Sequence, residues 1–128
     1  MKDKVPKYSR EIVYTAPDGS FEIVKTLWPP GSVSAIHNHG KSQGIVMVRK
    51  GELVESVYNV QSSEYRYSVK RCAGQVFQED CTRVHKVENL GTEEAEVIYA
   101  YFPPLREEDM QTFPEAMFNS NRKATIHP

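Results

Sequence analysis

The residues of this chain best placed to do chemistry are two histidines two positions apart, His37 and His39. Neutral imidazole is a common ligand of iron, zinc, copper and nickel ions. In a β-strand, residues i and i+2 point to the same face and lie about 7 Å apart along the backbone. Two imidazoles arranged in this way can converge on one ion. The pair therefore predicts a metal site.

The segments around the pair predict short strands that are joined by turns. Gly31 precedes the histidines, residues 40–42 form a turn after them, and the apolar run 45–48 leads to a second turn at Lys50-Gly51. A third histidine, His85, lies in a further short predicted strand. We interpret this pattern as a metal site inside a small β-barrel, with His127 as a residue of the tail.

The rest of the chain repeats the alternation of short strands and turns. Strands are predicted at residues 8–14, 20–28, 44–49, 53–60, 65–69, 76–77, 84–87 and 95–102, and residues 79–82 read as a polar loop. In the tail, residues 105–128, a short helix is predicted at 105–113 and fraying is predicted after 118. Its residues Phe113, Met117 and Phe118 are expected to pack back on the barrel. A length of 128 residues predicts one all-β domain, with a core at about 20–104.

Composition and charge exclude several classes of function. A net charge of −1 argues against binding to nucleic acid or to an anionic membrane surface. No apolar run approaches the length that spans a bilayer, and the first residues lack the apolar core of a signal peptide. A cytoplasmic location is therefore expected, with Cys72 and Cys81 as free thiols. Exposed edge strands make a homodimer plausible.

The spacing of glycines, histidines and one asparagine resembles the two motifs of the cupin family. The matching residues are Gly31, His37, His39 and Gly51 in the first motif, and Gly74, His85 and Asn89 in the second, with Asp80 and Thr82 replacing its proline and glycine. The resemblance implies a double-stranded β-helix, or jelly-roll, barrel. It also implies that His85 joins the first two histidines at one metal.

The main departure from the first cupin motif is Gly44, which stands where the motif has a glutamate ligand. Glycine offers no ligand atom, so the expected site consists of three neutral histidines without a carboxylate. Such a site keeps the full charge of a divalent cation and leaves about three coordination positions open. A thiolate and O₂ can occupy these positions.

Within the cupins, the chain is most similar to the cysteine dioxygenase family of three-histidine, non-haem Fe(II) thiol dioxygenases. The segments that carry this similarity are Ile36-His37-Asn38-His39, residues 84–89, Tyr8-Ser9-Arg10 and residues 101–104. The resemblance implies Fe(II) on the three histidines and O₂ as co-substrate. It implies that Arg10 binds the substrate carboxylate and that Tyr101 is the active-site tyrosine. Imidazole ligands by themselves leave Zn, Ni and Cu open.

Three further residues are weaker candidates for the same site. Tyr99 lies two positions before Tyr101 on the same strand face, Tyr8 lies next to the Arg10 segment, and Gln43 precedes Gly44. The Ser-His-Tyr relay typical of the family maps to Val97, Tyr99 and Tyr101, so only its tyrosine remains.

The predicted function is oxidation of a small thiol with a carboxylate, such as cysteine or 3-mercaptopropionate, to a sulfinic acid. Because the relay is missing, two alternatives stay open. One is a three-histidine dioxygenase that cleaves a diketone-like substrate. The other is a non-catalytic cupin that holds a metal or senses a ligand.

Overall fold

The computed structural model describes residues 5–118 and the backbone of residues 126 and 127. These residues form eleven strands and two 3₁₀ turns, the latter at Glu107–Asp109 and Glu115–Met117. The strands are β1 Ser9–Thr15, β2 Glu22–Trp28, β3 Ile36–His37, β4 Gln43–Lys50, β5 Glu52–Asn59, β6 Glu64–Cys72, β7 Val76–Glu79, β8 Val84–Glu88, β9 Ala95–Phe102, β10 Thr112–Phe113 and β11 Ile126–His127. The all-β prediction is confirmed.

The strands form two sheets, in which most neighbouring strands are not consecutive in the chain. One sheet has the order β1-β2-β9-β4-β7, and the other has the order β10-β3-β8-β5-β6-β11. All pairs are antiparallel except β6 with β11, which is parallel. The core contains buried side chains from both sheets, including Val24, Val46 and Val97 of the first and Leu53 and Val87 of the second. Full burial of one such side chain contributes about 1.5–3 kcal/mol to the free energy of folding.

Strict alternation on β9 decides which side chains enter the barrel. Ala95, Val97, Tyr99 and Tyr101 are buried, whereas the residues between them are partly exposed. The shared face that the sequence predicts for the two tyrosines is confirmed. On β2 the buried positions alternate in the same way but include polar Glu22 and Thr26. The inner face of this strand therefore contains polar as well as apolar side chains.

Two predicted elements differ from the observed structure. Glu79 is not part of a loop; it is the last residue of β7 and is buried. Residues 105–113 do not form an α-helix, because three acidic residues make a single 3₁₀ turn and Thr112–Phe113 then pair with His37 and Ile36. A β ladder to the barrel satisfies these backbone groups better than a short helix without an apolar face.

The tail packs where the sequence predicts it. Phe118 lies in a second core cluster with Ile36, Tyr58 and Val84, and Phe113 and Met117 pack against that cluster. The fraying expected after residue 118 is wrong at residues 126 and 127, whose backbone pairs with Ser68 and Val69 of β6. The other residues after 118 and the side chain of His127 lie outside the described residues. Cys72 and Cys81 are both free thiols. In the part of the chain that the structure describes, no helix is long and apolar enough to cross a membrane.

Candidate metal centre

Strand pairing brings the three predicted histidines together. His37 on β3 lies directly opposite His85 on β8, although 48 residues separate them in the chain. His39 lies just past the end of β3, where its backbone N–H donates to the carbonyl of Cys81. The ring centroids are 4.7 Å apart for His37 and His85, 5.0 Å for His39 and His85, and 5.2 Å for His37 and His39. One ligand nitrogen of each ring lies within 4.8 Å of the others, a spacing that fits one metal ion.

The Nδ1 atoms of all three rings face oxygen atoms of the protein. Nδ1 of His37 lies 2.7 Å from the carbonyl oxygen of Ala35, and Nδ1 of His85 lies 2.7 Å from a carboxylate oxygen of Glu55. Nδ1 of His39 lies 3.3 Å from Oε1 of Glu79. An imidazole that donates through Nδ1 presents its Nε2 lone pair for coordination. Among the residues that the structure describes, the buried Nε2 of His85 has no hydrogen-bond partner, as expected for a metal-ligand atom.

Burial and mutual repulsion keep two of the rings in the metal-binding form. Burial lowers the pKa of His37 to about 4 and that of His39 to about 2, and the neighbouring imidazoles add to the effect. Both rings are therefore neutral at physiological pH. Burial also lowers the pKa of His85, but the charges of Glu79 and Glu55 outweigh it and raise the pKa above its ordinary value. A divalent cation would take the place of the proton on this ring.

Two buried glutamates lie next to the rings, and neither is one of the three predicted ligands, so a site without a carboxylate ligand stays a prediction. Glu55 accepts from Nε and a terminal nitrogen of Arg71 at 2.9 and 2.8 Å and from Arg83 at 3.3 Å, besides facing His85. Burial alone would raise the pKa of Glu55, but the hydrogen bond from His85 and the charges of His85 and Arg71 lower it to about 2. Glu79 lies between His39 and His85, 3.6 Å from Nδ1 of the latter.

The sequence analysis did not identify either glutamate as part of the site, although the position of Glu55 in the sequence indicates a buried, paired carboxylate. Glu55 lies within a predicted strand that is otherwise rich in apolar residues, and a carboxylate on such a strand is expected to be buried only when paired. Glu79 gave no signal, because its strand is only four residues long and ends at that position.

A cavity of about 340 Å³ opens onto the three histidines. Its volume suits a small molecule. The other candidate residues that line it are Tyr8, Arg10, Tyr99 and Tyr101, together with Glu79. The ring of Tyr101 lies 5.7 Å from the ring of His39 and stacks on Tyr99 at 5.2 Å. Burial raises the pKa of the Tyr101 hydroxyl well above its ordinary value, so this group remains a proton donor at neutral pH.

Comparison with known proteins decides the family. The model of the family described as cysteine dioxygenase type I matches residues 3–115. The chain belongs to this family. Cysteine dioxygenase type 1 of Danio rerio is 28% identical over 108 residues, which are 78% of this chain and 53% of the relative. The human protein of the same name is 27% identical over 106 residues, 77% of this chain and 52% of the relative. This family member thus spans about half the length of the curated relatives it matches.

Solved structures support the same fold at lower identity. An uncharacterised Klebsiella pneumoniae protein with a double-stranded β-helix domain superposes with a TM-score of 0.68 at 18% identity, covering 89% of this chain and 90% of that one. Recombinant oxalate oxidase superposes with a TM-score of 0.59 at 22% identity, covering 73% of this chain and 46% of that one. The predicted cupin double-stranded β-helix is confirmed for this cysteine dioxygenase family member.

Arg10 reaches the cavity from the edge strand β1. Its Nη2 lies 3.2 Å from Oε1 of the buried Glu22, and the same oxygen accepts the backbone N–H of Leu105 at 3.1 Å. A second guanidinium, that of Arg106, lies 3.7 Å from Oε2 of Glu22 but does not line the cavity. Glu22 therefore fixes Arg10 at the cavity wall, and 37% of the Arg10 side chain stays exposed.

Gln43 is the one candidate residue that the structure leaves outside the cavity. It is exposed on β4, because the alternation of this strand turns its neighbour Gly44 inward instead. Its side-chain oxygen accepts the backbone N–H of Cys81, which links the start of β4 to the segment between β7 and β8. In this family member Gln43 does not line the cavity. Val97, at the first relay position, is buried and apolar.

Tyr8 lies at the cavity wall and stacks on Trp28, with ring centroids 4.1 Å apart and planes inclined by 11°. The indole N–H of Trp28 in turn donates to the Thr26 hydroxyl at 2.8 Å. This stack links the residue that precedes β1 to the inner face of β2. Tyr8 therefore closes the wall next to Arg10.

Proposed function

We propose that the protein is an Fe(II)-dependent dioxygenase that oxidises a small, carboxylate-bearing thiol to a sulfinic acid. The observation that carries this proposal is that one cavity is lined by both the three histidines and the guanidinium of Arg10. Membership of the cysteine dioxygenase type I family supports it. A thiol acid needs one site for sulfur and one for the carboxylate, and this cavity has groups suited to both.

An iron ion held by His37, His39 and His85 would supply the redox chemistry that joins a thiol to O₂. The overall reaction is R–SH + O₂ → R–SO₂H. Both oxygen atoms end on sulfur, and the four electrons that sulfur loses are those that O₂ gains. The reaction therefore needs no external reductant. Holding both reactants in one cavity removes much of the entropic cost of their encounter.

Arg10 would bind the substrate carboxylate through two parallel N–H···O hydrogen bonds. The ion pair with Glu22 orients the guanidinium before substrate arrives, which lowers the entropic cost of binding. Tyr101 would donate its hydroxyl proton to a polar atom of the bound substrate. Tyr99 stacks against Tyr101 and, like Thr26, lines the cavity.

The proposal is tested by loading the metal-free protein with Fe(II) under anaerobic conditions and then following O₂ uptake. The panel contains cysteine, 3-mercaptopropionate, 2-aminoethanethiol, which lacks the carboxylate, and a β-diketone. We expect uptake with the thiol acids and a sulfinic acid product by mass spectrometry. Uptake only with the diketone, or no uptake with iron bound and the fold intact, overturns the proposal.

Substitution Arg10→Gln is expected to raise KM for a thiol acid by about 10- to 100-fold, since a charge-assisted hydrogen bond contributes about 1.5–3 kcal/mol. KM for 2-aminoethanethiol should change little. Steady-state O₂ uptake with both substrates measures the difference.

The matched control is Arg106→Gln, because Arg106 faces the same carboxylate of Glu22 but does not line the cavity. This control variant should leave KM for both thiols within about threefold of wild type, which is well below the effect expected at Arg10. Equal effects of the two substitutions would show that Arg10 supports the fold rather than the substrate.

A further inference from the structure

Three buried side-chain atoms lack a hydrogen-bond partner among the described residues, and all three lie at the metal centre. They are Nδ1 of His39, Oε1 of Glu79 and Nε2 of His85. A buried polar atom without a partner costs about 1–3 kcal/mol. Their concentration in one place therefore marks a site that is completed by something else. A metal bound to the three histidines would give Nε2 of His85 a partner. Nδ1 of His39 and Oε1 of Glu79 do not belong to the predicted ligand atoms, so their lack of a partner needs a separate explanation.

The two remaining atoms lie 3.3 Å apart and can satisfy each other. Their present alignment does not make a hydrogen bond. Catalytic hydrogen bonds are often poorly aligned without ligand and tighten when the ligand binds. With a metal on Nε2, the His39 ring must carry its proton on Nδ1, and Oε1 of Glu79 is the acceptor that this proton faces. One event, metal binding, thus resolves all three unpartnered atoms.

Strand register explains how this carboxylate reaches the centre. Gly44 on β4 lies directly opposite Glu79 on β7 and also opposite Tyr101 on β9. A β-carbon on Gly44 would lie 3.5 Å from the β-carbon of Glu79 and 3.4 Å from the ring of Tyr101. Gly44 therefore places no side chain between Glu79 and Tyr101, and both side chains reach the centre from the strands on either side of it. The carboxylate enters from the neighbouring strand.

Glu79 also differs from Glu55 in its charge partners. Glu55 forms ion pairs with Arg71 and Arg83, whereas within residues 5–118 no arginine or lysine nitrogen comes within 4.0 Å of Glu79. The groups that face Glu79 within that distance are the rings of His39 and His85. A buried carboxylate is costly unless a positive charge lies nearby. Its natural counter-charge is a metal bound to these two rings.

We propose that Glu79 is a positioning residue of the metal centre, which accepts the Nδ1–H of His39, holds Nε2 of that ring on the metal and compensates part of the metal charge. The inference rests on the metal site of the proposed function but not on its substrate. Hydrogen bonds from ligand histidines to carboxylates generally raise metal affinity by about 10- to 100-fold.

The test measures Zn(II) affinity of the full chain by competition with a chromophoric chelator, together with the reduction potential of bound iron. For Glu79→Gln we expect the dissociation constant to rise about 10- to 100-fold, and the potential to rise because Fe(II) is favoured when a negative charge is removed. The matched control is Glu96→Gln, which removes the same charge from a carboxylate paired with Arg49 on a partly exposed position of β9. The control variant should bind Zn(II) like wild type. An affinity of Glu79→Gln within threefold of wild type overturns the proposal.

A measurement on the wild-type protein keeps the proposal testable if Glu79→Gln fails to fold. Nitrogen-15 histidine spectra of the Zn(II)-loaded chain report which ring nitrogen of His39 carries the proton. We expect a protonated Nδ1 with a slowly exchanging proton and a metal-bound Nε2. A metal-bound Nδ1 or a rapidly exchanging proton contradicts the proposal. Because neither experiment uses a thiol, the absence of O₂ uptake would overturn the proposed function without deciding the role of Glu79.

Discussion

Substitution His37→Ala is expected to reduce bound iron from about one equivalent per chain to a small fraction and to abolish O₂ uptake with thiols. Loss of a group behind a ligand already weakens metal binding by 10- to 100-fold, so loss of a ligand should cost at least about 100-fold. His37 is the best of the three histidines for this test. Nδ1 of His37 contacts only a backbone carbonyl, that of Ala35, so its loss leaves no buried carboxylate without a partner. The rings of His39 and His85 contact buried glutamates instead. Metal analysis after desalting and O₂-electrode measurements follow the two losses.

The control for this substitution is Lys41→Ala, in the turn that follows the histidine pair. Lys41 is exposed, and its loss should leave iron content and O₂ uptake at wild-type levels. If His37→Ala keeps a full equivalent of tightly bound iron while its fold is intact, the three-histidine centre is wrong. If it loses iron but keeps O₂ uptake, the centre exists and catalysis lies elsewhere.

Substitution Glu55→Gln is expected to lower the free energy of unfolding by about 3 kcal/mol, since removing one partner of a buried ion pair typically costs 3–5 kcal/mol. Glu55 is 1% exposed and accepts from Arg71, Arg83 and His85 at once. The neutral amide would leave two guanidinium groups without their shared counter-charge. Urea denaturation of the metal-free protein at pH 7 measures the change, with the exposed Glu52→Gln on the same strand as control.

The same variant should change how the free energy of unfolding falls at acid pH. The pKa of Glu55 is lowered in the folded protein from its ordinary value of 4.5 to about 2. A carboxylate with a lowered pKa stabilises the fold above its ordinary pKa, and this contribution is lost as pH falls from about 4.5 towards 2. Wild-type protein should therefore lose stability across this range more steeply than Glu55→Gln does. If the free energy of unfolding falls equally steeply with pH in the two proteins, the partners of Glu55 do not hold its carboxylate ionised.

The sequence by itself determined the local features of this protein. Alternation on residues 95–102 places Tyr99 and Tyr101 on one inner face, because the two-residue period is a property of any extended chain. The His37 and His39 pair and the two spaced motifs identify the family, because the residues that carry chemistry recur at fixed intervals along the chain. The same motifs bring His85 to the site.

The tertiary structure alone decided which groups surround those residues. The pairing of β3 with β8, of β4 with β7, and of β5 with β6 and β8 places Glu79 and Glu55 behind the imidazoles. Register between strands distant in sequence depends on the packing of the whole barrel, so no local pattern specifies it. For the same reason the sequence could not show that Glu22 holds Arg10, or that Gln43 turns away from the cavity. The fold therefore decides which charges surround the predicted metal, whereas the sequence by itself predicts the three histidine ligands.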